Sequence, residues 1–136
     1  MATIVLHRGA DADIDAIWDD EPQIAAAILA LLQEAKGNQL VLDTFTSHDF
    51  GAYGTEPYHV SVWAAQQRRG RNLWRLKIWE LEKHAIRYRV VYAFDPRIHR
   101  YYVLGVFNRD FDYDESDPRT QRVLAVYDRL NIPEYR

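Results

Sequence analysis

The chain has 136 residues, 48% hydrophobic and 13% aromatic, with a net charge of −3; this suits one compact domain over 1–136 with its own core and excludes a disordered chain. It holds no cysteine, which rules out disulfide frameworks, thiolate zinc sites and cysteine nucleophiles and makes a reducing cytoplasm the expected compartment. No 18-residue apolar run is present to span a membrane, and the opening MATIVLHRGADAD turns acidic too early for a signal peptide.

TIVLH, residues 3–7, reads as a short first strand. GADADID then offers Asp11 or Asp13 as the N-cap of a brief helix with Ile14, Ile17 and Trp18 on its apolar side. Pro22 marks a second helix start, and the spacing of Ile24, Ile28, Leu31, Leu32 and Ala35 predicts a helix over 22–36 that Gly37 stops. Over 38–57, NQLVLDTF either extends or restarts a helix, and SHDFGAYGTEP reads as loop.

From residue 58 the apolar period changes from about 3.6 to 2, the signature of strands whose alternate side chains face opposite sides. YHVSVWAAQ and NLWRLKIWEL flank a turn at Gly70, KHAI leads into RYRVVYAF, DPRIH turns the chain, and RYYVLGVFN is the last strand. Connections this short predict an antiparallel meander. Asp117 and Pro118 then form the cap and first position of a closing helix with Val123, Val126, Tyr127 and Leu130 as its stripe. The sequence contains no internal repeat, low-complexity tract or interdomain linker.

The net charge hides a partition. Residues 1–67 carry two basic and ten acidic side chains, a balance of −8, whereas 68–109 carry eleven basic and three acidic, a balance of +8; the remainder contributes −3. A local basic stripe sets the field that a polyanion feels, so an acidic total does not exclude a phosphate partner. Seven of the nine basic residues from 71 to 109 are arginines, whose fixed fork matches phosphate oxygens.

Sorting by alternation, Trp74, Leu76 and Ile78 oppose Arg75 and Lys77, while Tyr88, Val90, Tyr92 and Phe94 oppose Arg87, Arg89, Val91 and Ala93. In the last strand Arg109 falls on the side of Tyr101, Val103, Gly105 and Phe107. With the meander in register, Arg75, Lys77, Arg89 and Arg109 converge on one sheet face; a one-residue slip would send them apart. The commoner use of such a face is plain solvation. Tyr88, Tyr92, Tyr101, Tyr102 and Tyr113 are available to stack bases, although core and rim positions are the usual place for tyrosines. The five histidines show no metal spacing; His84 and His99 are the candidates for acid–base work at strand ends, with solvated turn histidines as the simpler reading. DFDYDESD, 110–117, has the acidity of a divalent-ion loop without the glycine and distal glutamate of a calcium loop. No P-loop, G-x-S-x-G or dinucleotide fingerprint occurs.

LWRLKIW, IRYRVVYAFD and YYVLGVFNRD, within the order strand, two helices, antiparallel strands, terminal helix, resemble the RelE/ParE superfamily of type II toxins. The likeness in motifs covers roughly 72–130, with topology alone before it, and the 38–71 segment and acidic first half depart from compact members. The resemblance implies an α+β fold: a small twisted antiparallel sheet with two N-terminal helices and a C-terminal helix. It also implies a bacterial cytoplasmic toxin, without cofactor or metal, neutralised by a cognate antitoxin that wraps it and reaching DNA only through that antitoxin. In the RelE branch, which cuts mRNA on the ribosome, the catalytic basic residues map to Arg75, Lys77, Arg89 and Arg109, with Tyr113 the nearest counterpart of a family tyrosine. The ParE branch shares the fold and inhibits DNA gyrase, and fold alone does not decide between them. A non-catalytic module that docks an acidic partner is the third reading.

Overall fold

The computed structural model describes residues 1–109 and 115–135. Strand β1 (Thr3–Leu6) leads into helices α1 (Arg8–Asp20) and α2 (Pro22–Gly37), the short α3 (Gln39–Asp43) and a 3-10 turn (Thr44–Thr46). Then come β2 (Tyr58–Val62), the single-turn α4 (Ala64–Gln67), β3 (Leu73–Ile78), α5 (Trp79–Lys83), β4 (Tyr88–Asp95), β5 (Arg100–Asn108) and α6 (Pro118–Arg129). The architecture is α+β.

β2 to β5 form the expected antiparallel meander, but the five-stranded sheet, in order β1-β5-β4-β3-β2, is mixed, because β1 pairs parallel with β5 from Thr3↔Arg100 to Leu6↔Val103. A parallel neighbour needs a long crossover rather than a hairpin, and α1 and α2 supply the helical excursion that lets the first strand lie beside the last.

α1 starts earlier and runs longer than its sequence suggests. His7, not Asp11 or Asp13, is the N-cap, its Nδ1 accepting from the Gly9 N–H at 3.2 Å. Asp13 instead accepts from the Val106 N–H and pairs with both terminal nitrogens of Arg122, so a residue with a cap's chemistry serves to tie α1 to β5 and α6. The buried stripe is Ala10, Ile14 and Ile17; Trp18, one residue further round the helix, is 48% exposed. α2 behaves as its pattern predicts, with Pro22 in its first turn and Ile24, Ile28, Leu31, Leu32 and Ala35 buried.

After α2 the chain restarts a helix, one of the two readings of NQLVLDTF, and then packs as a plug on the sheet before the expected loop over 47–57. The Asn38 side chain accepts from the Leu40 and Val41 N–H groups and restarts the helix as α3. Phe45, completely buried, then enters the sheet face between the rings of Tyr92, Tyr58 and Tyr101, with centroids 5.2, 5.8 and 6.0 Å away. The Tyr92 hydroxyl donates to the Phe45 carbonyl at 2.6 Å, while those of Tyr58 and Tyr101 bond to the Thr44 and Thr46 hydroxyls at 2.6 and 3.1 Å. Every buried phenol of this face thus meets a partner from one turn.

On the opposite face, α6 presents Val123, Leu124, Val126 and Tyr127 to Leu73, Val91, Ala93, Leu104 and Phe107. Asp117 caps it by accepting from the Arg119 N–H, with Pro118 in the first turn, as expected. Of the core residues anticipated from alternation, Trp74, Leu76 and Val90 are buried and Tyr88 is half-buried. Alternation fails once, at a β-bulge where Val91 pairs with Gly105 and Tyr92 with Val103, leaving Leu104 as the extra residue. Tyr101 and Val103 therefore join the α1–α2 side while Phe107 joins the α6 side, so Arg109 shares a face with Phe107 but not with Tyr101 and Val103. Gly105 is required beside the bulge, since a Cβ there would stand 2.2 Å from the Phe107 ring.

Burial raises the phenol pKa of Tyr92 well above its ordinary value of 10, and raises those of Tyr58, Tyr101 and Tyr127 as well. A folded pKa above the unfolded one contributes stability that is complete below the unfolded value and is lost as pH rises through the folded value. Stability should therefore fall above about pH 10. Tyr92→Phe should cost about 1 kcal/mol at neutral pH for the lost bond to Phe45 and show a shallower alkaline decline, measured by urea unfolding across pH; a decline as steep as wild type would refute this origin.

Candidate functional site

Beyond the patch that α6 covers, the same sheet face turns polar. Arg75 and Lys77 of β3, Arg89 of β4, Arg109 just past β5, and His59 and Ser61 of β2 line an open cavity of about 320 Å³ with Leu76. The register places them: Ser61 pairs with Arg75, His59 with Lys77, Arg75 with Val91 and Arg89 with Phe107, while the Arg109 N–H donates to the Arg87 carbonyl at 2.8 Å. The four cations singled out from sequence share one pocket. Tyr113 lies outside the described residues.

The pocket is electrostatically crowded. The Lys77 ammonium is held below the ordinary lysine value by burial first and then by the charges of Arg89, Arg109 and Arg75, with Glu82 pulling the other way. Lys77 Nζ also sits 4.7 Å from the centroid of the Trp79 ring. Arg89 is not the free surface cation that alternation suggests: its Nη1 bonds both Glu82 and the Tyr88 carbonyl, and the two charged side chains are only 12% and 16% exposed.

A second group of side chains closes the β2 edge of the pocket. The His59 ring stacks on Trp79 at 5.9 Å with an interplanar angle of 2°, and its Nε2 lies 3.2 Å from Asp49 Oδ1. Trp79 is fixed in turn by its indole N–H, which donates to the Gly51 carbonyl at 2.8 Å. The 47–51 turn is clamped to β2 by Asp49 N–H to Val60 O and Val60 N–H to Phe50 O, at 2.8 and 2.9 Å. Only glycine fits at position 51, where φ is +77° and a Cβ would lie 1.9 Å from the Tyr58 carbonyl oxygen.

Other expectations are redistributed. His84 is largely exposed beside Glu80, and His99 sits in the β4–β5 turn against Phe94; neither lines the pocket. Tyr92 and Tyr101 are core residues, Tyr88 and Tyr102 pack partly buried against the two cores, and none of the four lines the pocket as a base-stacking platform. Much of the arginine stripe is structural: Arg69 pairs with Glu115, Arg71 with Asp128 and Gln66, and Arg97 with Asp95. His59, Ser61, Trp79 and Glu82 are the members that the sequence reading missed. The strand parity of YHVSV against LWRLKI would have found the first two, since His59 and Ser61 face the same way as Lys77 and Arg75 once the hairpin is registered.

Among the described residues no group of three or more His, Cys, Asp or Glu is placed to hold a metal ion, and no helix is long and apolar enough to cross a membrane. No family model matches the chain, and neither a curated protein nor a solved structure matches it.

Two stability outcomes follow from the crowding. Arg89→Ala should cost about 2 kcal/mol by stranding the half-buried Glu82 carboxylate, and the Arg89→Ala, Glu82→Ala double variant should recover part of that loss in a double-mutant cycle. Because the fold lowers the Lys77 pKa, it disfavours the protonated form that prevails at neutral pH, so Lys77→Met should raise the urea midpoint at pH 7. A lowered midpoint with an unchanged m-value would contradict the sign.

Proposed function

We propose that this chain is a RelE-type toxin: an endoribonuclease that cuts translated mRNA in the bacterial cytoplasm and is held inactive by a cognate antitoxin. One observation carries the reading, the convergence of Arg75, Lys77, Arg89 and Arg109 on a single open pocket in which the lone lysine has a depressed pKa. The LWRLKIW, RYRVVYAF and YYVLGVFNR strands that deliver these residues are the ones on which the family resemblance rests.

The chemistry asks for this combination. When an RNA 2′-hydroxyl attacks the adjacent phosphorus, negative charge gathers on the phosphoryl oxygens, and fixed cations in a partly desolvated site stabilise it. Arg109 and Arg89 take that role, Arg89 through the N–H groups other than the Nη1 that serves Glu82 and Tyr88. Arg75, one ladder step away, positions the RNA backbone through the paired fork that phosphate favours. An arginine does not give up its proton near neutrality. Lys77 does so more readily as its pKa falls, and it is the proton-transfer group among the four cations. No cofactor enters this scheme.

A pocket of this charge also suits capture by an acidic or amphipathic antitoxin segment. Such a complex should form at low salt and weaken as ionic strength rises, which copurification of the neighbouring gene product over a salt series measures.

Cleavage is tested by mapping mRNA ends in a translating extract with wild type, Arg109→Ala and Lys77→Ala, beside a gyrase supercoiling assay. Arg109→Ala should reduce cleavage by roughly 10²-fold or more with the unfolding midpoint nearly unchanged. Intact mRNA with inhibited gyrase would move the assignment to the ParE-type activity, and silence in both assays would favour a docking module.

A further inference from the structure

Cleavage by a 2′-hydroxyl moves two protons, and the four cations account for one. The attacking hydroxyl must lose its proton as the O2′–P bond forms, and the departing O5′ must gain one as the P–O5′ bond breaks, leaving a 2′,3′-cyclic phosphate and a free 5′-hydroxyl. Lys77, protonated and surrounded by positive charge, is suited to the second transfer. The first needs a neutral base on the same pocket wall.

We propose that His59 is that base, with Asp49 as its positioning residue; this rests on the ribonuclease reading and divides the labour within the same site. His59 lines the cavity directly opposite Lys77 across the β2–β3 ladder. Its Nε2 is 3.2 Å from Asp49 Oδ1. An acceptor-only carboxylate there fixes the tautomer, with Nε2–H donating and the lone pair on Nδ1. Stacking on Trp79, itself bonded to the Gly51 carbonyl, sets the ring plane. Asp49 is steadied from its other side by His48, whose Nε2 lies 3.4 Å from Oδ2 while its Nδ1 accepts the Val62 N–H. Around the imidazole stand Asp49 and His48 from the 47–51 turn, Lys77 and Trp79 from the β3–α5 run, and the arginines of the pocket. His59 is thus an oriented base beside a cation suited to act as acid, paired on one wall of the same cavity, which is what general acid–base cleavage requires. Neither His84 nor His99 has such a place.

The balance of each step is explicit. Neutral His59 takes the 2′-O–H proton and becomes imidazolium, the 2′-oxygen bonds phosphorus, the P–O5′ bond opens, and the Lys77 ammonium gives its proton to O5′; solvent then resets both groups.

The test uses full-length protein on ribosomes programmed with mRNA, in single-turnover cleavage, with two substrates: ordinary RNA, and RNA whose bridging 5′-oxygen at the cut site is sulfur. A thiolate leaves without a proton, so the sulfur substrate removes the need for an acid but not for a base. His59→Gln should lose about 10²-fold or more on both substrates and lose the acid limb of the wild-type pH–rate profile. Lys77→Met should lose a similar factor on ordinary RNA and recover on the sulfur substrate. Imidazole in the buffer should partly restore His59→Gly, and Asp49→Asn should lower the rate while the fold, followed by circular dichroism, stays intact. Wild-type cleavage with an equally fast His59→Gln, or recovery of His59→Gln on the sulfur substrate, would overturn the assignment of His59 and leave the ribonuclease reading standing. RNA left uncut by wild type would remove both.

Discussion

A sheet whose two faces both begin apolar must be covered on both, and this protein has unequal means of covering them. One face receives α1, α2 and the Phe45 turn; among the described residues the other receives α6 and the α4 corner with Trp63. A 12-residue helix is about 18 Å long, while an 8-residue strand such as β4 runs about 27 Å. Among the described residues, part of the second face is therefore without a helical cover, and polar side chains occupy it. The change falls within single strands: along β3, Leu73 is fully buried under the α6 layer while Arg75 and Lys77 emerge beyond it, and along β4 the same happens from Val91 to Arg89. The candidate site is the part of a core face that α6 does not reach, and so its cations are partly desolvated.

The other face supplies the rigidity that such a site needs. Phe45 fills the centre of that face, and the bonds of the 44–46 turn to Tyr58, Tyr92 and Tyr101 bind β2, β4 and β5 to one point. Directly downstream, the 47–51 turn carries Asp49 to His59 and the Gly51 carbonyl to Trp79. Packing on one side of the sheet is thus joined by four residues of chain to polar chemistry on the other. Sites held by ladder pairs and a buried plug keep their geometry better than sites built on loops alone.

Periodicity made α2, α6 and the four-strand meander legible, because each places its apolar residues at the spacing its geometry demands. It also brought Arg75, Lys77 and Arg89 together, since those strands pair without slippage at that end. Arg109 reached the pocket despite a faulty sorting of β5: the bulge at Leu104 and Gly105 swaps the sides of everything before it, and only the part after the bulge bears on Arg109. The parallel placement of β1 was hidden because strand order is decided by how α1 and α2 pack, which no local pattern records. His7 displaced Asp11 and Asp13 as the cap of α1 because Asp13 has a better use with Val106 and Arg122. Residues 38–57 were the least legible: a lone phenylalanine between two threonines has no periodic partner in the sequence, and its place is set only when the three tyrosines are assembled around it.

The charge partition acquires a physical meaning in this arrangement. Acidic residues answer arginines in pairs away from the pocket, Asp13 with Arg122, Asp95 with Arg97 and Asp128 with Arg71, so those cations contribute little field at a distance. At the pocket's edge the Glu82 carboxylate is set against Arg89, and it also opposes the arginines in setting the affinity of Lys77 for its proton. Without Glu82 the lysine would be driven further toward its neutral form, which cannot donate to a leaving oxygen. Without the arginines only burial would hold its pKa down, and it would keep its proton more tightly. Among the described residues, three guanidinium groups and the Glu82 carboxylate together tune one ammonium, and a protein acidic overall gathers positive charge where an anion would enter.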